Sequence, residues 1–157
     1  MITLGIDQSF TSTGYCLLID NNVDIFGIVK SVKDDDIHTR CLYICSELLK
    51  LVENNNVDKL VIEGLAFGMT GSSTRDLAGL QFAILTLIKF HYPEIEISII
   101  SPKSLKLFAT QDGKAKKKLM IESLPIEVLN KFKDSGLKIS TGLTDVTDAY
   151  WLTKYNK

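Results

Sequence analysis

Thr144-Asp145-Val146-Thr147-Asp148-Ala149-Tyr150-Trp151-Leu152 places two carboxylates three residues apart at the start of an apolar C-terminal segment. On a helix that spacing puts Asp145 and Asp148 on one face. Acids in a first helical turn have an ordinary use, because they accept from free backbone amides and favour the positive end of the helix dipole. Thr144 suits the cap that would open such a helix. A second use arises from two further acids far upstream, Asp7 and Glu63, each of which ends a short apolar run: Leu4-Gly5-Ile6-Asp7 and Lys59-Leu60-Val61-Ile62-Glu63.

Working outward from these stretches, the chain reads as alternating elements. Leu4 to Ile6 and Gly14 to Ile19 are strands joined by the polar loop Gln8 to Thr13, and Asp20-Asn21-Asn22 turns the chain into a third strand, Val23 to Val32. Asp34, Asp35 and Asp36 precede a helix from Ile37 to Asn54, whose Cys41, Ile44, Cys45, Leu48, Leu49 and Val52 keep a helical period. After the Lys59 strand, a glycine-rich stretch from Gly64 to Ser73 carries Phe67 and Met69, and a long helix runs from Thr74 to Phe90 until Pro93 closes it. Ile95 to Ile100 is a fifth strand. A short helix from Pro102 to Phe108, a turn at Thr110 to Gly113, a helix from Lys114 to Leu124, and a loop from Leu137 to Gly142 complete the reading. Hairpins first and strand-helix alternation afterwards predict one α/β domain over residues 1–157, with a mixed five-stranded sheet flanked by helices.

Composition sets the bounds. The 157 residues are 45% hydrophobic and 24% charged, ordinary values for a domain with its own core. Three cysteines without a Cys-x-x-Cys pair argue against a disulfide framework or a zinc ribbon, and fit a reducing, cytoplasmic setting. His38, Cys41 and Cys45 share a helical face, but Cys45 continues the apolar stripe and reads as core rather than as a metal ligand. The first residues carry no basic leader, and no apolar run approaches the ~20 residues of a membrane span. Net charge is -1, yet Lys103, Lys106, Lys114, Lys116, Lys117 and Lys118 crowd one stretch opposed by Asp112 alone. Such a run is either a solvated helix face or a phosphate-binding patch.

If Asp7, Glu63, Asp145 and Asp148 meet, their mutual repulsion is large. Two like charges at about 4 Å and an effective dielectric near 20 cost about 4 kcal/mol, so the cluster calls for a bound cation or raised carboxylate pKa values. Oxygen ligands without Cys or His favour Mg²⁺, or Mn²⁺, over zinc. Two such ions about 4 Å apart suit in-line hydrolysis of a phosphodiester, which needs no general-base histidine. The chain holds no phosphate loop of the Gly-x-x-x-x-Gly-Lys-Ser/Thr type and no Gly-x-Ser-x-Gly elbow.

In order along the chain, Leu4-Gly5-Ile6-Asp7 with Thr13-Gly14-Tyr15, Val61-Ile62-Glu63, Leu77-Ala78-Gly79-Leu80-Gln81 and Asp145-Val146-Thr147-Asp148-Ala149 together resemble the RuvC family of Holliday junction resolvases. The resemblance implies an RNase H-like fold, with Asp7, Glu63, Asp145 and Asp148 as the metal-binding acids of a nuclease. It further implies lysines after the fifth strand that serve the scissile site, for which Lys106 and Lys117 stand closest and Lys116 or Lys118 are alternatives. An aromatic residue shortly after the Glu is expected to stack on bases, and Phe67 stands one position later than that pattern; burial under its own loop is the other reading. Arg75 is expected either at phosphate or on the helix surface.

The expected activity is a Mg²⁺-dependent endonuclease that resolves four-way DNA junctions by paired nicks, acting as a homodimer matched to the two-fold symmetry of the junction. The long helix is the expected dimer surface. A broader debranching nuclease for forks and flaps and a non-catalytic junction-binding protein are the alternatives. An actin-like nucleotide-binding domain would need two lobes, for which the chain is too short. Small size and an Asn/Ile/Lys-rich composition suit a phage-encoded member or a low-GC bacterium.

Overall fold

The computed structural model describes residues 1–65 and 71–155. Its centre is a five-stranded sheet in the order β3-β2-β1-β4-β5. The strands are β1 (Ile2–Asp7), β2 (Thr13–Ile19), β3 (Asn22–Val29), β4 (Lys59–Glu63) and β5 (Glu96–Ile100). β2 runs antiparallel to both β1 and β3, whereas β4 runs parallel to both β1 and β5. The β2–β3 turn places Asp20 and Asn21 at φ 47° and 69°. Two consecutive left-handed residues suit the twist of a tight hairpin, and Asp and Asn accept that conformation more readily than most residues.

The side-chain alternation of the strands sorts the sheet into two faces. Leu4, Ile6, Leu17, Leu60 and Ile62 point to one face, which α1 (Ile37–Asn55) and α2 (Ser72–His91) cover with Ile44, Leu48, Leu80, Ile84 and Ile88. Each such fully buried side chain contributes about 1.5–3 kcal/mol of transfer free energy. The intervening residues Cys16, Leu18 and Val61 point to the other face. That face is covered by α6 (Leu143–Lys154) together with α3 (Pro102–Thr110), α4 (Lys117–Glu122) and α5 (Ile126–Asp134).

Helix α6 lies unusually close to the sheet. A Cβ on Gly5 would come within 2.1 Å of the Ala149 carbonyl oxygen, and one on Gly14 within 2.3 Å of the Asp145 carbonyl oxygen. Glycine at these two points lets the helix backbone rest directly on β1 and β2.

Four details differ from the sequence-based expectation. β3 ends at Val29 rather than Val32. The helix expected over Lys114–Leu124 is confined to Lys117–Glu122, because Asp112 takes the Lys114 amide at 2.8 Å and holds the preceding residues in a turn. Thr144 does not cap α6: the helix begins one residue earlier, after Gly142, and the Thr144 hydroxyl donates to Asp145 instead. Helix α5, unassigned from the sequence, starts directly after Pro125 and buries Val128 and Phe132, four residues apart. No helix among the described residues is long and apolar enough to cross a membrane.

Candidate active site

By alternation, Asp7 at the end of β1 and Glu63 at the end of β4 share the parity of Gly5 and Val61, and so face α6. β1 and β4 are parallel neighbours paired through Ile6 and Ile62, so the two acids emerge side by side at one end of the sheet. The first turns of α6 cross there and add Asp145 and Asp148. All four carboxylates line a cleft of about 460 Å³, whose walls also include Ser9, Ser12, Lys106 and Lys117. The resemblance-based set is thus collected from three separate elements into one place.

The electrostatics of the cleft follow from burial and like charge. Burial, then the carboxylates of Glu63, Asp148 and Asp145, push the Asp7 carboxyl well above the ordinary value, while Lys117 opposes the rise. Burial and then Asp148 raise Glu63 to about 7, against Lys106 and Lys117. Asp148 rises to about 6 through burial, opposed by Lys117 and reinforced by Asp145. Three acids held above their usual range by burial and by one another stand in a single cleft, the electrostatic pattern that candidate functional sites share.

Asp145 is the best-fastened of the four. Ser12 Oγ donates to its Oδ2 at 2.6 Å, Thr144 Oγ1 donates to its Oδ1 at 3.0 Å, and Lys117 Nζ stands 3.9 Å from Oδ1. Glu63 is fixed through its backbone: the Gln8 and Gln81 side-chain amides both donate to its carbonyl, at 3.1 and 2.8 Å. Gln81 belongs to the Leu77–Gln81 motif. Gln8 and Ser12 were not singled out from the sequence, where the only signal is a polar loop between two buried strands, and Thr144 was expected as a helix cap rather than as a partner of Asp145.

The donor set fits a hard divalent cation. Four carboxylates and no His or Cys line the cleft, and the raised pKa values of Asp7, Glu63 and Asp148 reflect crowded negative charge that a cation would relieve. Among the described residues no group of three His, Cys, Asp or Glu side chains is placed to hold an ion as it stands.

The lysines divide. Lys106 and Lys117 line the cleft. Lys103 packs its stem over Gly113, Lys114 lies in the turn held by Asp112, and Lys116 is the exposed residue before α4. Lys118 points to the far side of α4 and stands 3.6 Å from Glu122. Arg75 is exposed near the start of α2, 3.5 Å from Asp76. Phe67 lies outside the described residues.

A mixed five-stranded sheet in this strand order, flanked by helices, is the RNase H-like fold seen in RuvC-type structures. The particular likenesses run through both sequence and structure. The chain is 27% identical over 127 residues to the crossover junction endodeoxyribonuclease RuvC of Brachyspira hyodysenteriae, spanning 78% of each chain. It is 25% identical over 130 residues to the protein of the same name from Rickettsia bellii, spanning 80% of this chain and 82% of the relative. Thermus thermophilus RuvC in complex with Holliday junction substrate superposes with a TM-score of 0.75 at 16% identity, over 98% of this chain and 90% of that one. Fowlpox virus resolvase with Holliday junction DNA gives 0.56 at 14% identity, over 98% and 95%. No protein-family model matches the chain. In sequence and in fold, the chain is similar to the RuvC Holliday junction resolvases.

Proposed function

We propose that the protein is a metal-dependent, structure-selective DNA endonuclease that resolves four-way junctions by paired nicks. The observation that carries this reading is the meeting of Asp7, Glu63, Asp145 and Asp148 in one cleft beside Lys106 and Lys117, on a chain resembling RuvC proteins through most of its length.

The residues take separate tasks. Asp7, Glu63, Asp145 and Asp148 would hold Mg²⁺, or Mn²⁺, with two ions per site. Bound there, such ions lower the pKa of the attacking water and stabilise the departing oxygen. Lys106 and Lys117 receive the scissile phosphate at the cleft wall and offset its charge near the acids. Ser12 and Thr144 hold both oxygens of Asp145 in a fixed direction, which is the form of preorganisation that lowers a barrier without reorganisation during the reaction. Lys103, Lys114, Lys116 and Lys118, outside the cleft lining, contribute sequence-independent phosphate contacts along the arms, and Arg75 does so from α2. Phe67 stacks on a base at the junction centre.

A four-way junction presents two equivalent strands, so a homodimer with two clefts matches it. Helix α2 supplies the surface: Gly79, Phe82, Thr86 and Phe90 form an exposed stripe, with Phe82 75% and Phe90 80% accessible. Exposed aromatic residues in line on one helix are the composition of an interface core. Such an enzyme works with DNA in the cytoplasm of a bacterial or phage-infected cell.

The test is cleavage of a labelled four-way junction, a fork and a linear duplex, each with Mg²⁺ or EDTA, beside an Asp7→Asn variant. Symmetric nicks on the junction, lost with EDTA and in the variant, are the expected result. Equal cutting of forks would replace the resolvase by a debranching nuclease, and binding without cleavage would overturn the catalytic reading.

A further inference from the structure

The loop that carries Ser12 is tied to the opposite side of the sheet by a residue remote from the cleft. Arg40, on the second turn of α1, donates from Nη2 to the Phe10 carbonyl at 2.7 Å and from Nε to Ser31 Oγ at 2.9 Å. Ser31 Oγ in turn donates to the same Phe10 carbonyl at 2.5 Å. The guanidinium carbon also lies 5.5 Å from the centroid of the Phe10 ring, so the cation covers the ring while its fork grips the backbone. One peptide carbonyl therefore has two donors, and the ring of the same residue lies against the guanidinium.

From that fixed point the loop is laced forward. Thr13 Oγ1 donates to the Ser9 carbonyl at 2.6 Å and accepts the Ser9 amide at 3.1 Å. Ser9 Oγ accepts the Thr11 amide at 3.1 Å. The turn closes on Ser12, whose hydroxyl reaches Asp145. Ser9 and Ser12 line the cleft, while Phe10 between them turns away and packs against the α1/α2 core. Phe10 thus joins the loop to the α1/α2 side of the sheet, and Arg40 holds it there.

We propose that Arg40 is a positioning residue: by clamping Phe10 it sets the Ser9–Ser12 turn, and through Ser12 the direction of the Asp145 carboxylate. The kinetic side of this proposal rests on the nuclease reading above; the anchoring side does not. A guanidinium suits the task because its planar fork serves a carbonyl and a hydroxyl at once while its face covers a ring, which an ammonium cannot reproduce. Displacement of a catalytic group by about 1 Å from a remote change lowers turnover by about a hundredfold.

The experiment compares wild type, Arg40→Ala, Arg40→Lys, Ser12→Ala and the Arg40→Ala/Ser12→Ala pair. It reads junction cleavage, junction binding in Ca²⁺, melting temperature, and hydrogen exchange of the backbone amides of residues 9–13 against those of α6. Arg40→Ala is expected to lower kcat by about ten- to a hundredfold and to leave junction Kd within about twofold, because phosphate contacts elsewhere carry the binding. It should also speed exchange of residues 9–13 at least about tenfold relative to α6, as expected when a local segment loses its anchor. Arg40→Lys recovers only part of kcat at an unchanged melting temperature. The double variant cuts no more slowly than the slower single variant, since both changes break one chain of contacts. Multiplicative losses in the double variant, or unchanged exchange of residues 9–13, would overturn the proposal. If Arg40→Ala does not fold, Ser31→Ala removes half of the clamp and carries the same tests with smaller effects. Should wild type fail to cut any branched DNA, the nuclease reading falls, and the exchange measurement still decides whether Arg40 anchors the loop.

Discussion

Raising the pH from 5 to 8 without divalent cations should destabilise the protein, against the usual trend for a domain with ordinary carboxylates. Glu63 moves from its ordinary 4.5 to about 7 in the folded state, and Asp148 from 3.8 to about 6, each first of all through burial. The folded state therefore retains protons that the unfolded chain has already released. Stability from these groups is complete below their unfolded values and is lost as pH rises through about 6 and 7. At about 1.4 kcal/mol per pKa unit, moving from pH 5 to 8 forfeits roughly 3 kcal/mol for the pair, after allowance for their mutual coupling. Asp7 acts in the same direction. That loss is a large share of the roughly 5–15 kcal/mol stability of a typical domain.

The assay is urea unfolding in EDTA at half-unit pH steps, repeated with Mg²⁺. Added Mg²⁺ should stabilise more at pH 8 than at pH 5, because ligand carboxylates must be ionised to bind it. Asp148→Asn should raise stability at pH 8 in EDTA and flatten the curve by about half. Stability in EDTA that is flat or rises between pH 5 and 8 would refute the reasoning, because it would mean that the four acids are not crowded in the folded protein.

Gly14→Ala should cost about 3 kcal/mol or more, read as a fall in the urea midpoint, since its Cβ would stand 2.3 Å from the Asp145 backbone oxygen and must lift α6 from the sheet. Lys117→Ala removes the cation that opposes the rise of Asp7, Glu63 and Asp148; the pH below which cleavage fails should move upward, and the salt dependence of junction binding should lose about one ion per site. Phe82→Glu, placed in the exposed stripe of α2, should shift sedimentation from dimer to monomer with little change in melting of the monomer, and a wild type already monomeric at micromolar concentration would remove the dimer from the proposal.

Much of the fold was legible because local periodicity encodes which face of an element is buried. The apolar runs ending in Asp7 and Glu63, the helical stripe from Cys41 to Val52, and the Asp145/Asp148 spacing all needed only the neighbouring residues to be interpreted. The mixed type of the sheet followed from which connections are tight and which contain a helix, whereas the strand order came only with the structure. The missed α5 shows the limit: its Val128 and Phe132 are only two buried positions on a nine-residue helix, too short a pattern to stand out after Pro125.

The tertiary structure alone decided what the side chains meet. Six lysines lie between Pro102 and Met120 in the sequence; the resemblance favoured Lys106 and Lys117 but left Lys116 and Lys118 open, and of the six only Lys106 and Lys117 line the cleft. The choice turns on helical phase: with Asp112 holding Lys114 in a turn and α4 starting at Lys117, Lys117 faces Asp145 and Lys118 faces the opposite side. The clasp of Gln8 and Gln81 on the Glu63 carbonyl, and the chain from Arg40 through Phe10 to Ser12 and Asp145, join residues from separate elements. A sequence specifies the surface each element presents over a few residues, whereas such contacts exist only once the strands have paired and α6 has come to rest on Gly5 and Gly14.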